Sequence, residues 1–130
     1  IGERRAREGA YVWRSLLDSG AIVANGTDTP VEDVDPVKNF YALVTRMTAG
    51  GTSFFPEQRM TRHEALRSLT LDAAYAAFEE EIKGSLSPGK LADIVVLSRD
   101  ITTVPDDEIL DARVDVTILG GAVVYRGERP

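Results

Sequence analysis

Apolar positions in the first half of the chain recur at helical spacing. In residues 3–19 these positions are Ala6, Ala10, Trp13 and Leu17. Gly20 follows them, and a glycine is a common C-terminal stop for a helix. The pattern therefore predicts one helix over residues 3–19, with Trp13 packing against the core from its apolar face.

Two further helices carry start signals. Asp35 can cap a helix whose first residue is Pro36, and we expect this helix to end near Thr48. Its apolar face consists of Val37, Phe40, Tyr41, Val44 and Met47. Thr61 and Glu64 have the spacing of a capping box, which predicts another helix start. On this helix the expected packing face is narrow and consists of Leu66, Leu69, Thr70, Ala73 and Ala77, with residues 79–81 as a solvated end.

The short apolar run at residues 22–24, Ile-Val-Ala, predicts a buried strand that Asn25 and Gly26 end. Asp28 would then follow a strand terminus, the edge at which barrels and open α/β sheets hold ligands and metals. In that position Asp28 could bind a divalent cation or accept a proton from a metal-activated water. The alternative interpretation is that Asp28 only caps a turn, as aspartate often does after glycine.

The C-terminal third predicts a small antiparallel sheet. Residues 91–97 form a β-branched run after a turn-rich segment, and residues 114–119 form a second run. Gly120 and Gly121 then separate this run from residues 122–126, which is the pattern of a two-residue hairpin of primed type.

Composition and charge narrow the class of protein. The chain has 130 residues, 43% of them hydrophobic, which suits one domain with a modest core. Its 21 acidic and 15 basic residues give a net charge of −6, and no basic stripe accumulates, so nucleic acid is not an expected partner. No apolar run approaches a membrane span. We therefore expect a cytoplasmic protein that does not contact membranes.

The sequence offers few other candidates for chemistry. It has no cysteine, which excludes disulfides and thiolate metal sites. His63 is the single histidine and has no second histidine at ligand spacing, so we interpret it as an exposed side chain. Gly50 and Gly51 lack the strand and the lysine of a phosphate-binding loop, and we assign no cofactor site to them.

Three segments together resemble a known family. They are ANGTDTPV at residues 24–31, Glu64-Ala65-Leu66 with Thr70 and residues 73–74, and GSLSPGKLADIVVL at residues 84–97. In this order they resemble the C-terminal end of a metal-dependent amidohydrolase of the YtcJ-like, amidohydrolase 3 branch. The resemblance covers essentially the whole chain, and the first and last segments are specific only in combination.

The resemblance implies an α/β fold. Residues 1–81 would be the last strand and helices of a (β/α)8 metal-dependent hydrolase barrel. Residues 82–130 would be a small antiparallel sheet belonging to a composite β-sandwich subdomain. Asp93 would be structural in that subdomain, bonding backbone N–H groups of the preceding turn, and would not be catalytic.

The resemblance also implies a reaction. Asp28 would be both the metal ligand and the catalytic residue that carries a proton from the attacking water, with zinc as the default metal. The reaction would be hydrolysis of a non-peptide C–N bond in a small-molecule amide or cyclic amide, whose identity the sequence does not specify.

The other ligands that the resemblance implies are absent from this chain. They are a His-x-His pair after the first strand, a carboxylated lysine or glutamate midway, and later histidines. We therefore expect the isolated chain to be inactive and to bind no metal. It begins with Ile1, as a processed or cloned piece would. Its expected partner is the missing N-terminal part of the same enzyme, and its uncovered apolar helix faces and sheet edge favour self-association.

Two other hypotheses remain open. The chain could be a stand-alone, non-catalytic binding or assembly module. It could also be an unrelated α/β domain in which Asp28 is a turn residue. Sequence upstream of Ile1 separates the first of these from the enzymatic hypothesis, because only an amidohydrolase would show His-x-His there.

Overall fold

The computed structural model describes residues 2–127, and within this range helices come first and a sheet follows. The elements in chain order are α1 (Glu3–Gly9), α2 (Trp13–Asp18), α3 (Pro36–Thr45), the 3-10 helix η1 (Pro56–Gln58), α4 (Arg62–Leu69), α5 (Leu71–Ala76), β1 (Ile94–Leu97), the 3-10 helix η2 (Asp106–Asp111), β2 (Val114–Leu119) and β3 (Ala122–Arg126). None of the helices in this described range has the length and apolarity needed to cross a bilayer.

Side-chain caps start α3 and α4, as predicted. Asp35 Oδ1 accepts hydrogen bonds from the backbone N–H groups of Val37 at 3.0 Å and Lys38 at 3.1 Å. At α4, Thr61 Oγ1 accepts from the Glu64 backbone N–H, and Glu64 Oε2 accepts from the Thr61 backbone N–H at 2.8 Å. These bonds satisfy N–H groups that have no partner inside the helix. The helix α3 ends at Thr45, three residues before the expected end.

The predicted single helix over residues 3–19 is wrong, because the chain breaks between α1 and α2. Tyr11 adopts a left-handed backbone conformation with φ +55°. Its ring packs edge-on against Trp13 at 5.7 Å and against Phe54 at 6.4 Å between centroids. Contact with Phe54, distant in sequence, accompanies a bend that helical periodicity alone does not indicate. Trp13 does pack against the core, as predicted.

The predicted face of the α4 region is only partly correct, because Leu69 packs against the core whereas Thr70 and Ala77 are exposed. Thr70 departs from helical geometry and separates α4 from α5, which ends at Ala76. The buried residues are Ala65, Ser68, Asp72 and Ala74, whereas Leu66 is exposed. Small side chains let α4 approach α3 closely, and the Ser68 hydroxyl is satisfied by donating to the Ala65 carbonyl at 2.8 Å. The small residues Ala65 and Ser68, and not Leu66, therefore form the packed face of α4.

One apolar cluster forms the core, and segments distant in sequence contribute to it. Its buried members are Val23, Phe40, Leu43, Val44, Met60, Ala65, Ile101, Ile109 and Ala112. The connection between β1 and β2 thus packs on the helices. We call residues 13–77 together with residues 99–112 the helical body. A division of the chain at residue 81 stays a prediction, although this packing crosses it.

The three strands form a small antiparallel sheet, as predicted, with the order β1-β2-β3 and with β1 beginning at Ile94 instead of residue 91. Gly120 and Gly121 have φ values of +55° and +85°, which fits a primed hairpin turn between β2 and β3. Asp93 is structural, as predicted, but its partner differs. Its Oδ1 accepts from the Gly120 backbone N–H at 2.7 Å, so it fixes the hairpin turn and not the turn that precedes it.

The predicted strand at residues 22–24 does not form. Val23 is buried in the core, but Ile22 is half exposed, and neither belongs to a strand. A strand requires a hydrogen-bonded neighbour, and among residues 2–127 no segment pairs with this one. The run is anchored instead at its end, where the Asn25 backbone N–H donates to the Ser68 carbonyl at 3.0 Å.

Candidate active site: the Asp28 turn

Main-chain hydrogen bonds close a turn at residues 28–32, which we call the Asp28 turn. The Asp28 carbonyl accepts from the backbone N–H groups of Val31 at 2.8 Å and Glu32 at 3.3 Å. Asp28 has φ +61°, a left-handed conformation that aspartate tolerates better than most residues. The hydroxyls of Thr27 and Thr29 lie 2.9 Å apart on either side of it. The backbone therefore shapes this turn without help from the Asp28 side chain.

The Asp28 carboxylate is exposed and uncommitted. Within residues 2–127 it takes part in no hydrogen bond or ion pair. The interpretation of Asp28 as a side-chain cap therefore finds no bond to support it. The structure instead presents a carboxylate that can receive an incoming group.

Both ends of the Asp28 turn are held by contacts with the helices or the core. On the N-terminal side, Val23 is buried and Asn25 bonds to α4 through the Ser68 carbonyl. On the C-terminal side, Asp35 caps α3. The exposed turn thus lies between two fixed points, an arrangement typical of loops that carry functional groups on a rigid scaffold.

The described residues do not by themselves fit a metal site. In residues 2–127 no group of three or more His, Cys, Asp or Glu side chains is placed to hold a metal ion. Asp33 and Asp35, two acidic side chains on the α3 side of the turn, pair with Lys38 at 3.3 and 3.7 Å. Asp28 therefore offers one carboxylate, whereas a catalytic zinc ion takes about three protein ligands. His63 is exposed at the start of α4, as predicted.

An open cleft of about 720 Å³ lies elsewhere on the helical body. It is lined by Arg14, Val44, Pro56, Glu57, Arg59, Met60, Thr61, Arg62 and Asp106. Asp28 is not among these residues, so the cleft and the candidate site are separate features.

Ion pairs satisfy most of the charge in this cleft. Arg14 binds Glu64 through both terminal nitrogens, at 2.9 and 2.7 Å, and this pairing lowers the pKa of Glu64 to about 2. Arg62 donates to the Ile101 carbonyl at 2.6 Å and to Asp106 at 2.5 Å. These pairs join segments some 40 to 50 positions apart, and no local pattern in the sequence signals them. Their role is to hold the helical body together.

Comparisons with known proteins give consistent matches along the chain. A model of the amidohydrolase family matches residues 1–125. Protein LONG AFTER FAR-RED 3 of Arabidopsis thaliana is 36% identical over 96% of this chain and 21% of its own length. The N-substituted formamide deformylase of Arthrobacter pascens is 31% identical over 95% of this chain and 23% of its own length. The putative amidohydrolase YtcJ of Bacillus subtilis is 28% identical over 96% of this chain and 24% of its own length.

A solved structure has a fold similar to that of this chain. The crystal structure of an amidohydrolase from Thermotoga maritima superimposes with a TM-score of 0.66 and 24% identity. The superposition covers 90% of this chain and 26% of that one. The likeness confirms the α/β class. This chain spans about a quarter of the length of the proteins it matches.

Proposed function

This chain belongs to the amidohydrolase family, and we propose that it is the C-terminal portion of a metal-dependent amidohydrolase that hydrolyses a non-peptide C–N bond. The predicted resemblance to YtcJ-like members of amidohydrolase 3 is confirmed by the family match and the Bacillus subtilis relative. Two relatives are named N-substituted formamide deformylase and imidazolonepropionase, which supports an amide or cyclic amide as the substrate class.

The observation that carries this proposal is the free carboxylate of Asp28. Backbone bonds shape the turn, and they leave the side chain able to bind a cation and to accept and release a proton. Asp28 is thus proposed as one metal ligand and as the catalytic proton carrier. The remaining ligands of a divalent metal, zinc by default, would come from a part of the enzyme outside these residues.

A second candidate function is a non-catalytic binding or assembly module. The observation that favours it is the exposure of apolar side chains on the sheet, among them Val95, Val124 and Tyr125. Such residues are typical of a surface that another protein segment covers. Under the enzymatic proposal the same surface is covered by the N-terminal part of the parent enzyme.

Substitution of Asp28 in the full-length enzyme tests the catalytic role. We expect Asp28→Asn to reduce the hydrolysis of N-substituted formamides by a factor on the order of 10²–10⁴. In the 130-residue chain the same substitution should change thermal unfolding little, because the carboxylate makes no bond among residues 2–127. Asp107→Asn, at an exposed position in η2, is the matched control and should leave the rate unchanged. Full activity in the Asp28→Asn enzyme would exclude the proposed role.

The isolated chain provides a second test. We expect no amidase activity with added zinc, because Asp28 has no companion ligands in residues 2–127. We also expect self-association in light scattering, driven by the exposed apolar surface. Zinc-dependent amidase activity confined to these residues would contradict the first expectation, and a monodisperse monomer would contradict the second.

A further inference from the structure

Two threonine hydroxyls on either side of Asp28 bond to each other and to the backbone of the Asp28 turn. The Oγ1 atoms of Thr27 and Thr29 lie 2.9 Å apart, and Thr29 Oγ1 donates to the Glu32 carbonyl at 3.4 Å. A threonine hydroxyl has one hydrogen to donate. Since Thr29 donates its hydrogen to Glu32, it accepts the hydrogen of Thr27. We call these two bonds the hydroxyl bridge.

The hydroxyl bridge spans Asp28, whereas the main-chain bonds of the turn do not. The N–H groups of Val31 and Glu32 both bond to the Asp28 carbonyl. These bonds constrain the residues that follow this carbonyl, and they do not fix the φ of Asp28. The distance between the hydroxyls of Thr27 and Thr29 does depend on that φ, because Asp28 lies between them. Threonine is stiff at χ1, so the position of its hydroxyl follows the backbone closely.

The backbone of Asp28 has a conformation that most side chains disfavour. Its φ of +61° is left-handed, and an aspartate without a local constraint would more often adopt a negative φ. The carboxylate does not supply this constraint, because it takes part in no hydrogen bond or ion pair within residues 2–127. A change to negative φ would turn the Cα–Cβ bond, and with it the carboxylate, relative to the preceding residues.

We propose that Thr27 and Thr29 are positioning residues for Asp28. The hydroxyl bridge holds the left-handed conformation and thereby the direction in which the carboxylate leaves the turn. Because the hydroxyls bond to each other and to Glu32, the carboxylate oxygens stay available to a cation or a proton. Thr29 contributes more than Thr27, since it takes part in both bonds. This inference rests on the proposed function, and it adds two residues on which the action of Asp28 depends.

Substitutions in the 130-residue chain test the conformational step without catalysis. Valine in place of either threonine removes the hydroxyl and keeps the branched shape. The nuclear Overhauser effect between the amide and α protons of Asp28 is the readout, because these protons lie closest at positive φ. It should weaken most in Thr29→Val and less in Thr27→Val, whereas Thr29→Ser, which keeps a hydroxyl, should preserve it.

Thr52→Val is the matched control for this measurement. Thr52 is exposed, and its hydroxyl makes no hydrogen bond among residues 2–127. Its replacement should leave the Asp28 signal unchanged. An unchanged Asp28 signal in Thr29→Val, or an equal loss in Thr29→Ser, would overturn the proposal.

The full-length enzyme tests the consequence for the reaction. Thr29→Val should lower kcat for N-substituted formamides by about tenfold and Thr27→Val by about two- to fivefold, because misdirected groups slow the chemical step. KM should change little, since the loss is confined to the transition state. Thr29→Ser should keep most of the rate, and Thr52→Val should keep all of it.

The Asp28→Asn enzyme separates this inference from the proposed function. If Asp28→Asn is fully active, the proposed function fails, and the Asp28 signal in the 130-residue chain still decides whether the threonines hold the turn. If Asp28→Asn is inactive while Thr29→Val keeps its full kcat, the proposed function stands and the positioning role is overturned.

Discussion

The helical body and the sheet are stabilised in different ways. In the body, Phe40, Met60 and Ile109 are almost fully buried and pack in one apolar cluster. In the sheet, every residue of β3 is exposed, and Val124 retains 59% of its accessible surface. Apolar burial is the largest favourable term in folding. We therefore expect the helical body to contribute most of the free energy of unfolding.

Backbone geometry replaces burial in the sheet. The strands are held by their hydrogen-bonded ladder, by the glycine hairpin and by the bond from the Gly120 N–H to Asp93. The Gly121 backbone N–H also donates to the Ala92 carbonyl at 3.0 Å. A small sheet with uncovered faces is marginal by itself. We therefore expect stability in this chain to follow side-chain packing more closely than regularity of secondary structure.

The largest expected difference comes from truncating an apolar side chain in each region. Ile109→Ala should lower the free energy of unfolding by about 2–5 kcal/mol, because it opens a cavity in the core. Val124→Ala is the matched change in the sheet and should stay within about 0.5 kcal/mol. Urea unfolding measures both values. Similar losses for the two variants would contradict the distinction between the regions.

The connection between the two regions depends on Gly84. Its φ is +89°, and a Cβ added there would lie 2.8 Å from the Cβ of Ala74 in α5. Gly84→Ala should therefore cost about 2–4 kcal/mol, through backbone strain and overlap together. Gly51 has a similar φ of +75° but open space around it. Gly51→Ala should therefore show the cost of backbone strain alone, about 1 kcal/mol in the free energy of unfolding. Equal costs in thermal unfolding would show that the overlap is relieved.

The Arg14–Glu64 pair makes the helical body sensitive to acid. The pKa of Glu64 falls from 4.5 to about 2 on folding, so the folded state releases this proton more readily than the unfolded state. Its contribution is present above about pH 5 and is lost as the pH falls towards 2. Since the two side chains are 27% and 32% exposed to solvent, we expect the pair to contribute only about 1–2 kcal/mol to the free energy of unfolding. The free energy of unfolding, measured from pH 5 to pH 2, should depend less on pH in Glu64→Gln. It should keep its pH dependence in the control Glu8→Gln.

The smallest expected effect concerns the hairpin turn. Asp93→Ala removes the acceptor of the Gly120 N–H and should cost about 0.5–1.5 kcal/mol. Its clearest sign would be faster exchange of the Gly120 amide hydrogen. Asp115→Ala, at an exposed position on β2, should leave that rate unchanged. An unchanged Gly120 rate in Asp93→Ala would mean that the ladder alone fixes the turn.

Local signals in the sequence predicted part of this fold correctly. Asp35 before Pro36, Thr61 before Glu64, and the Gly120-Gly121 pair each act over two to four residues, and all three have the predicted structure. Caps and tight turns depend on side chains and φ values that neighbouring residues supply. They can therefore be identified without knowledge of the rest of the molecule.

Features that depend on distant contacts were not predictable in the same way. Tyr11 packs against Phe54, and this contact accompanies the break of a periodic helix. The run at residues 22–24 has strand composition, but pairing requires a neighbour from another part of a sheet. A sequence motif singles out Asp28. Only the geometry of the turn shows that its carboxylate is exposed and makes no bond within residues 2–127.

The return of the chain between β1 and β2 has a consequence for the order of folding. After Leu97 the chain leaves the sheet, places Ile101 and Ile109 among the helices, and comes back at Val114. The central strand, β2, is thereby joined directly to residues of the core. During refolding, the amides of α3 should gain protection before those of β2, and pulse-labelling hydrogen exchange would reveal this sequence of events.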